Sequence, residues 1–576
     1  MPKPHLILCG GAQEVGPEDA IVHKLEVGKG RGKISLDVDA ITEKMVQDLP
    51  TVMRDLLEIA TYVYVADQVV SRGGTRQFEY GEKWVRCLHF AIPVREYEVW
   101  SDPEVSGLLA EALSFASGDV CQFCFTRQPL GEFSEFLTYS TVGEPQYDYD
   151  EVVLFSGGVD SFTGAIDEVV GGNKHPVLVS HQSNRKMTGL QKKLHEYVVS
   201  LCTAGLKPLH VPVTINKDRR LTKDTSQRSR SFLYAALGTI VAKMFGLNRV
   251  KLYENGIVSC KLPFDGQTLQ ARSTRVTHPK FLQLLSSLIS EVTNSDFHLE
   301  NPYFLKTKTE VCLRLKELHH EPQIRETRSC AKSVYRSPQN HCGTCSQCID
   351  RRFATLASEC KEYDPEWLYA LNIFTDKLGS VYDRAMAAGF VGFASKLETM
   401  TIDGFVQKFS SDVHQAARYM TGQTCEVALQ GLFDLHRRHA CQVSGVMDAK
   451  LKQSISLVRK GMLPDNCLIS MVARCEHRDI QKLLKVGKTG KAREKSGKMK
   501  RRVSSELTPR QQEAYTLVHV GGKTPQQAAI EMRCTAQNVY KLLGQAEAKV
   551  KAKQARSIDH GKAQKIPTDK RGQPLI

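Results

Sequence analysis

The sequence predicts an α/β protein built around a parallel sheet, and three observations carry that expectation. Short apolar runs recur at Val152-Val153-Leu154-Phe155, Val177-Leu178-Val179, Leu209-His210-Val211 and Val250-Lys251-Leu252-Tyr253. Helix-length segments separate them, which is the rhythm of parallel strands joined by crossover helices. A Ser/Gly-rich turn follows the first run directly, at the end of a strand where such sheets bind ligands.

Composition bounds the function. At roughly 150 residues per domain, 576 residues make three or four domains. Apolar residues at 41% and charged residues at 24% are ordinary for a globular protein and exclude a mainly disordered or collagen-like chain. No apolar run approaches the roughly eighteen residues that a membrane helix needs, so no membrane partner is expected. The opening Met1–Gly10 is too short in its apolar part for a secretion signal, and a cytoplasmic protein is expected. In that compartment the seventeen cysteines read as thiols and metal ligands. The net charge of +15 lies entirely at one end: residues 482–576 hold 22 Lys/Arg against 7 Asp/Glu, and residues 1–481 hold 56 of each. A neutral body with a basic end suggests an attached module for a polyanion such as DNA or RNA.

Taken in order, residues 1–150 read as an α+β N-terminal domain of unknown role. Asp55–Asp67 is strongly apolar and fits a helix or a strand. Phe78-Glu79-Tyr80 and Trp84–Phe90 look like strands, with Gly73-Gly74 as a turn. Cys121 and Cys124 form a lone CxxC that fits a buried strand better than a metal site. Residues 151–360 hold the parallel-sheet domain. Residues 361–481 are helical, as in Phe405–Phe409 and Ala428–Phe433. Residues 482–506 form a basic linker, rich in Lys and Gly from Lys485 to Arg502. A helical module follows at 507–556 and a flexible basic tail at 557–576. There are no internal repeats.

The turn reads Phe155-Ser156-Gly157-Gly158-Val159-Asp160-Ser161. Two glycines let the backbone turn tightly and bring amides close to an anion. The following segment, Phe162–Asp167, can begin a helix whose positive end faces the same anion, and the Ser156 and Ser161 hydroxyls add donors. An ordinary strand-to-helix turn is the alternative. No GK[ST] follows, so this is not a Walker loop. The motif resembles the SGGxDS loop of the PP-loop ATP pyrophosphatases, which split ATP between the α and β phosphates. That resemblance implies ATP and Mg²⁺ as cofactors, with residues 155–162 around the nucleotide and Asp160 on the metal ion.

Cys330, Cys342, Cys345 and Cys348 have the spacing of a structural metal site, with two residues between each neighbouring pair of the last three. Zinc is the first expectation and an iron–sulfur cluster the competing one. His341 could replace one cysteine.

Together, the loop and this cluster with its trailing Arg351-Arg352 resemble the 7-cyano-7-deazaguanine synthase (QueC) family over roughly 150–360. Arg228-Ser229-Arg230-Ser231-Phe232-Leu233 is similar to that family's RNxxFL segment, with Ser229 in place of Asn. Lys306-Thr307-Lys308-Thr309-Glu310 resembles the segment before the zinc site. The chain departs from the family at Glu254-Asn255-Gly256 and Arg275-Val276-Thr277-His278-Pro279, where the synthases build their substrate pocket. Its long extensions and Thr-His-Pro variant look more like the QueC-like proteins of bacterial anti-phage operons, the QatC type.

The resemblance implies an ATP-dependent C–N ligase. It would adenylate a carboxylate, 7-carboxy-7-deazaguanine or a related acceptor, and would work beside defence-operon partners. A conventional 7-cyano-7-deazaguanine synthase for nucleic-acid modification is the alternative. By resemblance Ser156, Asp160, Ser161 and Arg228 carry catalysis, with Arg228 binding phosphate or carboxylate. His181 and Gln182 follow the second strand and are candidates for adenine contact. Lys306 is a candidate for phosphate charge, and Lys308 a further one.

In the basic end, Thr508-Pro509 and Thr524-Pro525 each look like a helix start, and Gly521-Gly522 a stop. A third helix, Ala536–Lys551, turns Val539, Leu542, Leu543 and Ala546 inward and offers Gln537, Asn538 and Lys541 outward. This resembles the helix-turn-helix of sigma-factor region 4, whose third helix enters the major groove. A protein-binding helical module is the alternative. A reading of another class makes the whole chain an ATP-sensing DNA-binding regulator.

Overall fold

The computed structural model describes residues 3–37, 49–72, 85–128, 148–262, 275–331, 339–475 and parts of 509–546, apart from 14, 29, 183, 184, 203, 204, 225, 227, 261 and 276. The chain divides into two units, Met1–Lys488 and Thr489–Ile576. Among the described residues no helix is long and apolar enough to cross a membrane.

Two parallel sheets organise the first unit. Strands β1 (His5–Cys9) and β2 (Ile21–Leu25) open the chain, followed by β3 (Ile34–Asp37). The apolar run at 55–67 is the helix α1 (Thr51–Val69), and burial on nearly every side explains why its period is ambiguous. After β4 (Cys87–Val94) comes α2 (Pro103–Ser117). Asp102 caps α2 by accepting the amides of Glu104 at 2.8 Å and Val105 at 3.3 Å. Then β5 (Val120–Arg127) completes a four-stranded sheet in the order β2-β1-β4-β5, parallel throughout.

The expected α+β character of 1–150 therefore gives way to α/β. Its boundary at 150 is also no break in the core, because Ile7, Tyr62 and Trp100 share one apolar cluster with Val152, Val177 and Leu237. Cys121 and Cys124 lie in β5, where residues three apart point to opposite faces, so they do not converge. The expectations at 73–84 lie outside the described residues.

The central sheet begins with β6 (Glu151–Leu154), followed by α3 (Val159–Ile166), β7 (Pro176–His181), α4 (Arg185–Ser200) and β8 (Leu209–Lys217). Next come α5 (Arg230–Met244), β9 (Arg249–Leu252), α6 (Gly256–Cys260), α7 (Pro279–Thr293) and β10 (His298–Glu300). The strand order is β10-β9-β6-β7-β8-β3, parallel except for β3 on β8. Thus β3, from the first 150 residues, closes one edge of this sheet. From β6 the chain winds to one side through β7 and β8, then returns to the other side with β9 and β10. The switch point lies between β6 and β9, where ligands bind in such sheets.

After β10 come α8 (Lys308–Glu317) and α9 (Ser346–Ala357). A helical layer follows: α10 (Val381–Glu398), α11 (Ile402–Ala417), α12 (Cys425–Arg459) and α13 (Leu468–Cys475). Its core joins Phe353 of α9 to Phe390, Phe405 and Leu432.

The second unit contains α14 (Pro509–Tyr515), a π turn at Thr516–Val520 and α15 (Pro525–Glu531). Ala514, Ala528, Met532, Val539 and Leu543 form its small core, and Asn538 is exposed. Thr508, Gln537, Lys541, the linker at 482–506 and the tail at 557–576 lie outside the described residues.

Candidate functional site: a glycine loop above a buried ion pair, and a four-cysteine cluster

The loop after β6 is built by its own serines. Ser156 Oγ and Ser161 Oγ lie 3.0 Å apart, and the Ser161 hydroxyl accepts the Ser156 amide at 3.2 Å. Gly157 takes φ +85°, and Gly158 is the N-cap of α3 without a side-chain acceptor. The first-turn amides are therefore left for another acceptor. Phe155, Val159 and Phe162 are wholly buried, so only their backbone can serve a ligand. From α4, Gln191 Nε2 donates to Ser156 O at 3.3 Å.

Beneath the loop, Asp160 is buried and paired. Lys308 Nζ donates to Asp160 Oδ2 at 2.6 Å and lies 3.9 Å from Asp350 Oδ2 on α9. Asn255 Nδ2, from the turn after β9, donates to Asp160 Oδ1 at 3.2 Å, so the contact spans the switch point. Burial alone would lower the Lys308 ammonium, but Asp160, Asp350 and Glu254 more than offset it and hold it above the ordinary lysine range. Thr307 and Glu310 form a reciprocal capping box that starts α8, and this aims Lys308 inward. From α12, Arg438 donates to Glu310 at 2.6 Å and ties the helical layer to that cap.

The other sequence candidates lie elsewhere. Arg228 is expected to bind phosphate or carboxylate. Instead its guanidinium donates to Ser117 O at 2.9 Å and its amide to Asp67 at 2.8 Å, fastening the start of α5 to the N-terminal region. Asp67 belongs to a buried network in which Arg86 Nη2 lies 2.6 Å from both Asp67 and Asp119. Two positions on, Arg230 turns the other way and donates to Tyr234 OH at 3.0 Å. His181 is also not open to a ligand. Its ring packs edge-on against Tyr64 and Tyr234, and Nε2 donates to Ile215 O at 3.2 Å. Gln182 sits half-buried at the strand end, its amide on Val213 O at 2.8 Å. Lys306 lies over the Tyr303 ring at 5.9 Å, so Lys308 is the lysine under the loop. In the Thr-His-Pro variant, Thr277 bonds Ser259 at 2.7 Å and His278 caps α7.

The four cysteines converge. The sulfur atoms of Cys330, Cys342, Cys345 and Cys348 all lie within 4.8 Å of one another. Cys342 and Cys348 are 3.8 Å apart. A tetrahedral zinc with bonds of about 2.3 Å would space its sulfurs about 3.8 Å apart, so the donor set fits that ion. Buried His341 is not among the four; its ring lies 5.0 Å from that of Tyr369. The trailing arginines support the cluster from behind: Arg351 and Arg352 meet Asp364 at 2.9 and 3.7 Å.

Sequence reasoning missed Asp350 and Gln191 as neighbours of the loop, and singled out Asn255 only within the stretch that departs from the family. Asp350 had a local signal in its place two residues past Cys348, and Gln191 had none.

Comparison with known families matches residues 501–550 to Sigma-70, region 4. The expected helix-turn-helix thus has independent support, and the match is confined to that segment. No curated protein matches the chain.

Proposed function

We propose that residues 151–360 form a QueC-like, ATP-dependent synthase of the PP-loop type that adenylates a carboxylate and releases pyrophosphate. The observation that carries this reading is the convergence of Ser156 and Ser161 on an uncapped helix start at the switch point. A carboxylate oxygen attacks the α-phosphorus, the bond to the bridging oxygen breaks, and pyrophosphate departs with its electron pair. Charge builds on the leaving group, where the loop amides and both serine hydroxyls donate. The β- and γ-phosphates of arriving ATP compete with Asp160 for the Lys308 ammonium. Mg²⁺, when bound, neutralises phosphate charge, and Asp160 is the carboxylate that would hold it. Zinc, when bound, is held by Cys330, Cys342, Cys345 and Cys348 in a structural role.

The acceptor class is 7-carboxy-7-deazaguanine or a relative. The N-terminal sheet and basic C-terminal unit favour an anti-phage setting with protein partners over the compact synthase, and DNA is the partner that fits the helix-turn-helix.

Ser156→Ala and Asp160→Asn test the reading. Asparagine is chosen because it keeps an acceptor oxygen for the buried Lys308 ammonium, which alanine would remove; Asp350, 3.9 Å away, remains as countercharge in either variant. Pyrophosphate release from ATP, measured with 7-carboxy-7-deazaguanine and ammonia, should fall at least about 100-fold in each, the scale of losing one transition-state donor. Full turnover in both variants would refute it.

The Sigma-70 region 4 match favours a second reading, an ATP-sensing DNA-binding regulator. It requires ATP binding without turnover and specific DNA binding that survives Asp160→Asn.

A further inference from the structure

We infer that the segment from Ile324 to Cys330 couples metal occupancy of the four-cysteine cluster to the geometry of the glycine loop, with Arg351 as the positioning residue. Arg328 donates its amide to Gly157 O at 2.9 Å. Two residues later the same stretch supplies Cys330 to the cluster. One short length of chain thus grips the loop at its most constrained residue and ends in a metal ligand.

A second tether holds the same stretch. Arg351 lies on α9, three residues past Cys348, and is wholly buried. Its Nη1 donates to Thr327 Oγ1 at 2.8 Å and its Nη2 to Ile324 O at 2.7 Å. Its Nε meets Asp364 at 2.9 Å, and Asp364 also accepts from Tyr369 OH at 2.7 Å and Thr355 Oγ1 at 2.9 Å. Tyr369 in turn packs on His341, whose backbone bonds Leu368 and Ala370, just before Cys342. Each limb that bears a ligand therefore returns to Arg351 and Asp364.

A bound metal fixes Cys330 against Cys345 and Cys348 at the start of α9, so the segment is held at both ends and Arg328 stays on Gly157. Without the metal one end is released, and the loop loses the donor that holds its positive-φ turn. The consequence for ATP affinity rests on the nucleotide reading; the coupling itself does not.

Amide exchange on the full chain, metal-loaded and chelator-treated, reads the coupling directly. Exchange across residues 155–163 should rise about tenfold on metal removal, the scale of one lost hydrogen bond, and recover on adding zinc. Exchange in α1 should not change. Unchanged exchange at 155–163 while 324–331 loosens overturns the inference. If metal removal unfolds the unit, α1 will lose protection too, and Thr327→Val then decides. This variant removes one of the Arg351 acceptors, the hydroxyl on the coupling segment, without touching a thiol, so full metal content with faster exchange at 155–163 is expected. Full metal content with unaltered exchange overturns the inference as well. Coupling in a protein that binds no ATP by calorimetry would refute the nucleotide reading alone.

Discussion

Two glycine pairs follow β1 of the N-terminal sheet and β6 of the central sheet, and they do different things. After β1, the amide of Gly10 is spent on Leu25 O and that of Ala12 on Cys9 O, both at 2.9 Å, and the next described element is the neighbouring strand. After β6, Gly158 starts a helix, two serine hydroxyls meet beside it, and a carboxylate–lysine pair lies beneath. Glycines past a strand make a turn. An anion site also needs a helix start with amides to spare and side chains that donate.

The largest expected effect comes from the four-cysteine cluster, which has no counterpart beside the N-terminal sheet among the described residues. Structural zinc contributes on the order of 10 kcal/mol to small metal-dependent folds, so Cys345→Ser should lower stability more than the loss of any single hydrogen bond or ion pair in the chain. Metal analysis should show the ion lost, and thermal unfolding should show the first unit, with its shared core, melting at a lower temperature. Undiminished stability with full metal content would contradict the assignment.

What was legible follows from how local each feature is. The 155–161 turn and the cysteine cluster are contiguous or nearly so, because their geometry demands particular residue types at fixed spacing. Arg228 and Arg230 sit two apart on a helix start and point to different regions, and sequence spacing carries no record of which faces the core. Lys306 and Lys308 flank the cap Thr307, and only the second lies on the inward face. Least legible was β3, which pairs Ile34 with Lys217 across the chain, because nothing local to a four-residue strand names its partner.

Acid should part the two sheets next. His181 packs on Tyr64 of α1, and His278 on Phe115 of α2 at 5.0 Å, so both sit where the regions meet. Burial, then the Arg230 charge, pushes His181 down to about 3. Burial, then Arg275 and Lys280, does the same to His278, also to about 3. Unfolded histidine takes its proton near pH 6.5, so between 6.5 and 3 the unfolded state binds more protons and stability falls as pH falls. Each unfolded histidine is already half protonated at pH 6.5, so each costs about 1 kcal/mol over the next pH unit and the pair should remove about 2 kcal/mol between pH 6.5 and 5.5. Urea midpoints at the two pH values measure it, and a flat profile would mean that these rings are not packed neutral.

The smallest effect bears most directly on the two turns. Gly11 and Gly157 both hold positive φ, +77° and +85°, so alanine at either strains the backbone by about 1–2 kcal/mol. An added Cβ at Gly11 meets nothing within 4 Å; at Gly157 it comes 3.2 Å from Leu190 Cδ2, which a leucine on α4 can yield. The stability losses should therefore be nearly equal, and the functional losses should not. Gly157→Ala displaces the carbonyl that Arg328 holds and the serines on either side of it, so pyrophosphate release should fall well beyond what the shared strain explains. Gly11→Ala should leave it intact. Equal loss in both would mean that the N-terminal turn also feeds the site, and equal retention would remove the turn's shape from the chemistry and leave only its hydroxyls.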